Sequence, residues 1–195
     1  MNGRRRIIAG NWKMNTTAEE AVTLAGTIAQ GADAMTDVDV VLCPPACFLG
    51  SVIEACKDTA IQVGGQNLHP ATQGAFTGEI SAGMLASLGA RYVICGHSER
   101  RAMFGDTEQW VGEKVQAALA AGLIPIIAMG ETLDERNEKR TEAVVESQLA
   151  AATQGLSNDQ MASVVIAYEP VWAIGTGLTA SPDQAQAVHA FIRSK

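Results

Sequence analysis

The chain has 195 residues, 47% of them hydrophobic and 18% charged, and a formal net charge of −7. Such a chain is expected to fold as one domain spanning 1–195, with a core that needs no disulfide or metal staple. The acidic balance argues against nucleic acid or an anionic membrane as partner, since both require a basic face.

An anionic small ligand stays possible if its site is local, built from a lysine, a helix N-terminus or backbone N–H groups. The basic run Arg4, Arg5 and Arg6 reads as a solvated tail leading into a strand. Cys43, Cys47, Cys56 and Cys95 show no C-x-x-C pair and no histidine at zinc spacing, which fits reduced core thiols in a cytoplasmic protein. No signal-peptide pattern and no apolar run of about 18 residues occurs, so neither secretion nor a membrane span is expected.

In chain order, six short apolar, β-branched runs predict strands: RIIAGNW (6–12), VDVVLCPP (38–45), IQVGGQNL (61–68), YVICGHS (92–98), IPIIAMGE (124–131) and VVIAYEP (164–170). Several are continuous rather than alternating, which suits strands of a parallel sheet buried on both faces. Helical segments lie between them. Thr17 with Glu20 forms a capping box ahead of the first. Asp106 with Gln109 opens WVGEKVQAALAAG, and Gly122 stops it. Ser181, Pro182 and Gln184 supply an N-cap, a first-turn proline and a box residue for the last helix. Six βα units in succession imply an α/β fold with a parallel sheet and right-handed crossovers, either open or curled towards a barrel.

Polar residues follow the apolar runs: Asn11 and Lys13, Gln66 and Asn67, His97 and Glu99, Glu131, and Glu169. In a parallel α/β fold these C-terminal strand ends share a face, so they are expected to converge on one site. Glu169 is a candidate general base whose neighbours Tyr168, Pro170 and Trp172 would shelter the carboxylate and raise its pKa; it reads equally as a carboxylate paired with an arginine. His97, in CGHSERR, suits a hydrogen bond to a ligand oxygen with its other nitrogen fixed by a backbone N–H, or a satisfied core histidine. Lys13 suits an anionic oxygen, or an exposed structural role. His69 and His189 carry no functional weight.

The segment Gly175 to Ala180 fits G-x-G-x-x-[GA] in form only. It stands away from the strand tip, and no later strand carries the acidic partner that a dinucleotide site requires. Glycines flanking Thr176 read better as the far hinge of a mobile lid. One carboxylate, one histidine, one lysine and backbone N–H donors suit proton abstraction beside a carbonyl, with stabilisation of an enediolate and no cofactor.

Four segments carry a resemblance: AGNWKMN (9–15), GQNLHP with GAFTGEIS (65–70, 74–81), YVICGHSERR (92–101) and AYEPVWAIGTG (167–177). In order and spacing they are similar to the signatures of the triosephosphate isomerase family. That resemblance implies a TIM-barrel-like fold and interconversion of dihydroxyacetone phosphate and glyceraldehyde 3-phosphate, as in glycolysis and gluconeogenesis, with neither cofactor nor metal. It implies Glu169 as base, His97 as neutral hydrogen-bond donor, and Lys13 as the cation holding substrate and enediolate. Asn11 would be a polar neighbour in substrate binding, and Glu99 would support Lys13 from behind. Pro170, Val171, Trp172, Ala173, Ile174, Gly175, Thr176 and Gly177 would form the lid, with the Gly175 N–H on the phosphate. A homodimer or higher homo-oligomer is implied, with Thr77, in the loop 64–79, near the neighbouring subunit's Asn11 and Lys13.

The family's barrel has eight βα units in about 250 residues. This sequence ends at Lys195, after the sixth strand, so the expected fold is an incomplete (βα)8 barrel of six units. Loss of the last two units would remove phosphate-binding loops, reduce activity and leave sheet edges for association to cover. Ala128 stands where the family usually has cysteine. Two other functions remain open on the residues alone: an inactive isomerase-like scaffold or binding protein, and a phosphosugar enzyme using Lys13 as a Schiff-base nucleophile.

Overall fold

The computed structural model describes residues 6–32 and 35–195. Arg4 and Arg5 lie outside the described residues, whereas Arg6 opens the first strand and pairs with Asp37. The described residues pack as two compact units, one within Met1–Ile94 and Ala117–Ile124, the other Cys95–Gln116 with Pro125–Lys195.

In the first unit, β1 (Arg6–Asn11), α1 (Ala18–Ala32), β2 (Val38–Cys43), α2 (Leu49–Ala55), β3 (Gln62–Gly65), α3 (Ala82–Leu88) and all but the last residue of β4 (Tyr92–Cys95) alternate. The strands pair in parallel in chain order, with Ala9 opposite Val41, Leu42 opposite Val63, and Gly65 opposite Val93. The capping box starts α1 as expected: Thr17 N–H donates to Glu20 Oε2 at 2.7 Å, and Glu20 N–H to Thr17 Oγ1 at 3.4 Å. Ala21, Ala25, Ala29 and Ala32, spaced at the helical repeat, form its buried stripe. Side chains this small let the helix lie close to what it covers.

The strands differ in burial more than their sequences suggest. All four residues of β4 are buried, but β1 has Ile8 60% exposed. Among the described residues β1 pairs with β2 alone, so one of its edges has no strand against it. Apolar continuity signals that a strand wants cover; it does not supply the cover.

The second unit carries α4 (Ser98–Met103), the start of α5 (Glu108–Ala120), most of β5 (Ile124–Met129), α6 (Leu133–Asn137), α7 (Thr141–Thr153), α8 (Asn158–Ala162), β6 (Val165–Tyr168) and α9 (Pro182–Ser194). β5 and β6 pair in parallel from Ile126 opposite Val165 to Met129 opposite Tyr168. The predicted box at Ser181 and Gln184 opens α9, with Pro182 in its first turn. The start of α5 differs from expectation: Thr107 Oγ1, not Asp106, takes the Trp110 N–H, at 3.1 Å. Asp106 is drawn inward by two cations, Arg100 Nε at 3.1 Å and Lys114 Nζ at 2.5 Å. Gly122 closes α5 as read, its N–H bonding Leu119 O while Leu123 N–H reaches Ala118 O.

Six parallel strands, each followed by helix, make an α/β fold of six βα units, TIM-barrel-like and incomplete relative to the eight-unit barrel. Among the described residues no helix is long and apolar enough to cross a membrane.

Candidate active site

Glu169 is delivered by β6. Its N–H donates to Met129 O at 2.7 Å, carrying the pairing with β5 one residue past the strand. Its carboxylate then meets His97: Nε2 stands 3.0 Å from Oε1, and the Ser98 N–H donates to Oε2 at 3.3 Å. His97 follows Gly96, whose backbone has φ +75°, a conformation that permits the turn out of β4. A side chain at 96 would also strike Arg101 and Val111.

His97 caps α4 with its own ring, Nδ1 accepting the Glu99 N–H at 3.2 Å. With Nδ1 occupied as an acceptor, Nε2 is the ring nitrogen turned as a donor towards Glu169. A Glu99 carboxylate oxygen stands 3.6 Å from the same Nδ1.

Burial acts to raise the Glu169 pKa. The hydrogen bond and charge of His97, with the Ser98 contacts, outweigh it and leave the carboxyl below its ordinary value. This corrects the expectation of a raised pKa, because sheltering is countered by a donor aimed at the charged form. No arginine pairs with Glu169 among the described residues.

In the first unit, Lys13 has φ +53°, a left-handed backbone uncommon outside glycine. Both sides of it are pinned. Its N–H donates to Asn11 Oδ1 at 3.0 Å, while Gln66 Nε2 donates to Lys13 O and to Cys43 O, each at 2.9 Å. Strain held this way fixes where a side chain starts. Gln66, legible only as polar at a strand end, is thus a brace for Lys13.

The segment Pro170 to Gly177 leaves β6 through a short 3-10 turn, Val171–Ala173. Trp172 is buried, its Nε1–H donating to Glu131 Oε1 at 3.0 Å under the Arg136 guanidinium, which lies 4.5 Å from the ring centroid. Glu131 is fully buried and also accepts from Arg136 NH1 at 3.0 Å and from Tyr168 Oη at 3.0 and 3.1 Å. Burial first, then the Glu131 charge, pushes the Tyr168 phenol up. Beyond Trp172, Thr176 Oγ1–H reaches Trp172 O at 2.7 Å, and Gly175 and Gly177 have φ +68° and +78°.

Thr77 is exposed at a turn closed by Glu79 N–H to Phe76 O at 3.0 Å. His69 holds this loop by backbone and ring, with its N–H on Ile80 O at 2.8 Å and the ring 4.1 Å from that of Phe76.

The family model described as Triosephosphate isomerase matches residues 6–195. The chain is 52% identical over 190 residues to the triosephosphate isomerase of Rhodopirellula baltica, covering 97% of this chain and 75% of that protein. It is 50% identical over 188 residues to that of Chloroflexus aurantiacus, covering 96% and 75%. For Herpetosiphon aurantiacus the identity is 50% over 192 residues, covering 98% and 77%. The chain belongs to the triosephosphate isomerase family.

Within this member of the triosephosphate isomerase family, His97 and Glu169 meet as a bonded pair, and Asn11 braces Lys13. Glu131 is the residue whose importance the sequence concealed. The arginine-paired carboxylate considered for Glu169 is Glu131, and Tyr168 and Trp172, read as a shelter for Glu169, donate to Glu131. The signal available was GETLDER, a carboxylate after an apolar run with an arginine five residues on. The Gly175–Ala180 match to a nucleotide fingerprint is an irregular segment braced by Thr176, and His189 packs edge-on to Tyr168 at 5.9 Å.

Proposed function

We propose that this chain interconverts dihydroxyacetone phosphate and glyceraldehyde 3-phosphate through an enediolate. The observation that carries the reading is a carboxylate held by an imidazole: Glu169 Oε1 with His97 Nε2 at 3.0 Å and Ser98 N–H on the other oxygen. Substrate oxygens would take over the His97 N–H, releasing the carboxylate to accept a proton from the carbon beside the carbonyl. The electron pair moves onto the carbonyl oxygen, where the imidazole N–H and the Lys13 ammonium stabilise it. The hydroxyl proton on the deprotonated carbon passes to that oxygen by way of the His97 imidazole, Glu169 returns its proton to the neighbouring carbon, and nothing is consumed.

Lys13 and Asn11 would bind substrate, with Glu99 supporting Lys13. Residues Pro170 to Gly177 would close over it, excluding water and bringing the Gly175 N–H to the phosphate. Residues 1–195 would serve this reaction as a single domain. The chain would act in the cytoplasm as a homodimer or higher homo-oligomer, with the exposed Thr77 turn inserted beside its neighbour's Asn11 and Lys13.

The test is a coupled assay for triose phosphate interconversion with Glu169→Gln alongside. Activity that falls by at least about 100-fold in a folded variant is expected, in line with general-base contributions of about 10²–10⁴. Equal rates for wild type and variant would overturn the proposal.

A further inference from the structure

Gln148, in the middle of α7, is buried and polar, and nothing in the chemistry above uses it. Its amide pairs with both backbone groups of one residue: Gly130 N–H donates to Gln148 Oε1 at 2.8 Å, and Gln148 Nε2–H donates to Gly130 O at 3.3 Å. Gly130 lies one residue beyond β5, so a side chain is replacing the strand that would otherwise satisfy that backbone. Gly130 is also where the chain presses on the base. A Cβ placed there would stand 1.8 Å from the backbone oxygen of Glu169, which only glycine allows. The next residue is Glu131, the anchor of Trp172.

We infer that Gln148 is a positioning residue for the reaction: its amide clamp on Gly130 sets the backbone against which Glu169 is placed. The inference rests on the proposed isomerase reading. Gln148 touches neither base nor substrate. Its influence passes through the Gly130 backbone, to the Glu169 backbone on one side and to the Glu131 carboxylate on the other. A shift of about 1 Å in reacting groups can cost about 100-fold in rate, so loss of the clamp acts on turnover more than on binding.

Two full-chain variants test this. Gln148→Met keeps the volume and removes both hydrogen bonds; kcat is expected to fall about tenfold to 100-fold, with KM changed less than about threefold. Gln148→Glu supplies the second readout. Ionised, its carboxylate accepts from Gly130 N–H but repels Gly130 O; protonated, it donates and accepts as the amide does. Burial raises the pKa of such a carboxyl, so the kcat of Gln148→Glu relative to wild type is expected to climb as pH drops from about 8 to about 6.

A purely structural role would lower unfolding stability in both variants, yet leave kcat per folded molecule and its pH profile as in wild type; that result overturns the inference. If Gln148→Met does not fold, the pH profile of Gln148→Glu decides alone, and a flat ratio overturns it. Wild type without isomerase activity overturns the proposed function, and this inference with it. An active wild type with unmoved variants overturns only the inference.

Discussion

Trp172 Nε1 donates to Glu131 Oε1 at 3.0 Å, binding the segment after β6 to the segment after β5. The indole is one of several donors on a carboxylate with no solvent exposure, beside Arg136 and Tyr168. A buried carboxylate in this position is stable only while its donors stay, so losing any one of them costs stability.

Trp172→Phe keeps a ring beneath Arg136 and deletes the donor. Hydrogen bonds to charged groups contribute about 1.5–3 kcal/mol, and a loss of stability of about that size is expected in urea unfolding. An unchanged midpoint would show that the bond contributes nothing to the resting fold.

The depressed pKa of Glu169 has a sign that can be checked. A carboxyl with a lowered folded-state pKa stabilises the fold above its unfolded value of about 4.3, and that stability is lost as pH falls through the folded pKa. Because burial alone would raise it, removing the donor should reverse the shift. In His97→Ala the Glu169 carboxyl is expected to titrate higher than in wild type, followed by carboxyl-carbon NMR with Glu169→Gln as assignment control. A titration that stays put after the substitution would remove His97 as the cause.

Asp106 and Lys114 form a 2.5 Å pair whose side chains are 2% and 1% exposed. Burial lowers the Lys114 pKa, and the hydrogen bond to Asp106 works against it. Asp106→Ala takes the carboxylate away from a buried cation and should cost about 3–5 kcal/mol, while Asp106→Leu combined with Lys114→Met should recover most of that. Chemical denaturation of the three proteins checks both halves. A double variant as weak as the single one would mean that the charges themselves are required.

The thiols should separate by burial. Burial pushes Cys43 and Cys95 up to about 12 and raises Cys56, whereas Cys47 is exposed. At pH 8 one thiol per folded chain is expected to react quickly with a disulfide reagent, and all four after unfolding. A second fast thiol in the folded protein would contradict the burial described.

The strands were legible because parallel β-structure writes itself as short β-branched runs, and the boundaries mostly shrank by a few residues, as from 61–68 to Gln62–Gly65. The helix starts at Thr17 and Ser181 were legible because a capping box is a contact between near neighbours in sequence. Asp106 was misread at the same level: its true partner Lys114 is eight residues on, and a capping pattern does not see it.

By itself the sequence determined the order of six βα units, the identity of the chemical groups and the family. Those depend on residue type and short spacing. Tertiary structure decided what each group does to its neighbours. Glu169 and His97 are 72 positions apart in sequence, yet their 3.0 Å contact reverses the effect of burial on the carboxyl. Glu131 became an anchor, and Gln148 a clamp, only once distant segments were side by side. A pKa or a hydrogen bond is a property of separation in space, and the chain's own order does not carry that distance.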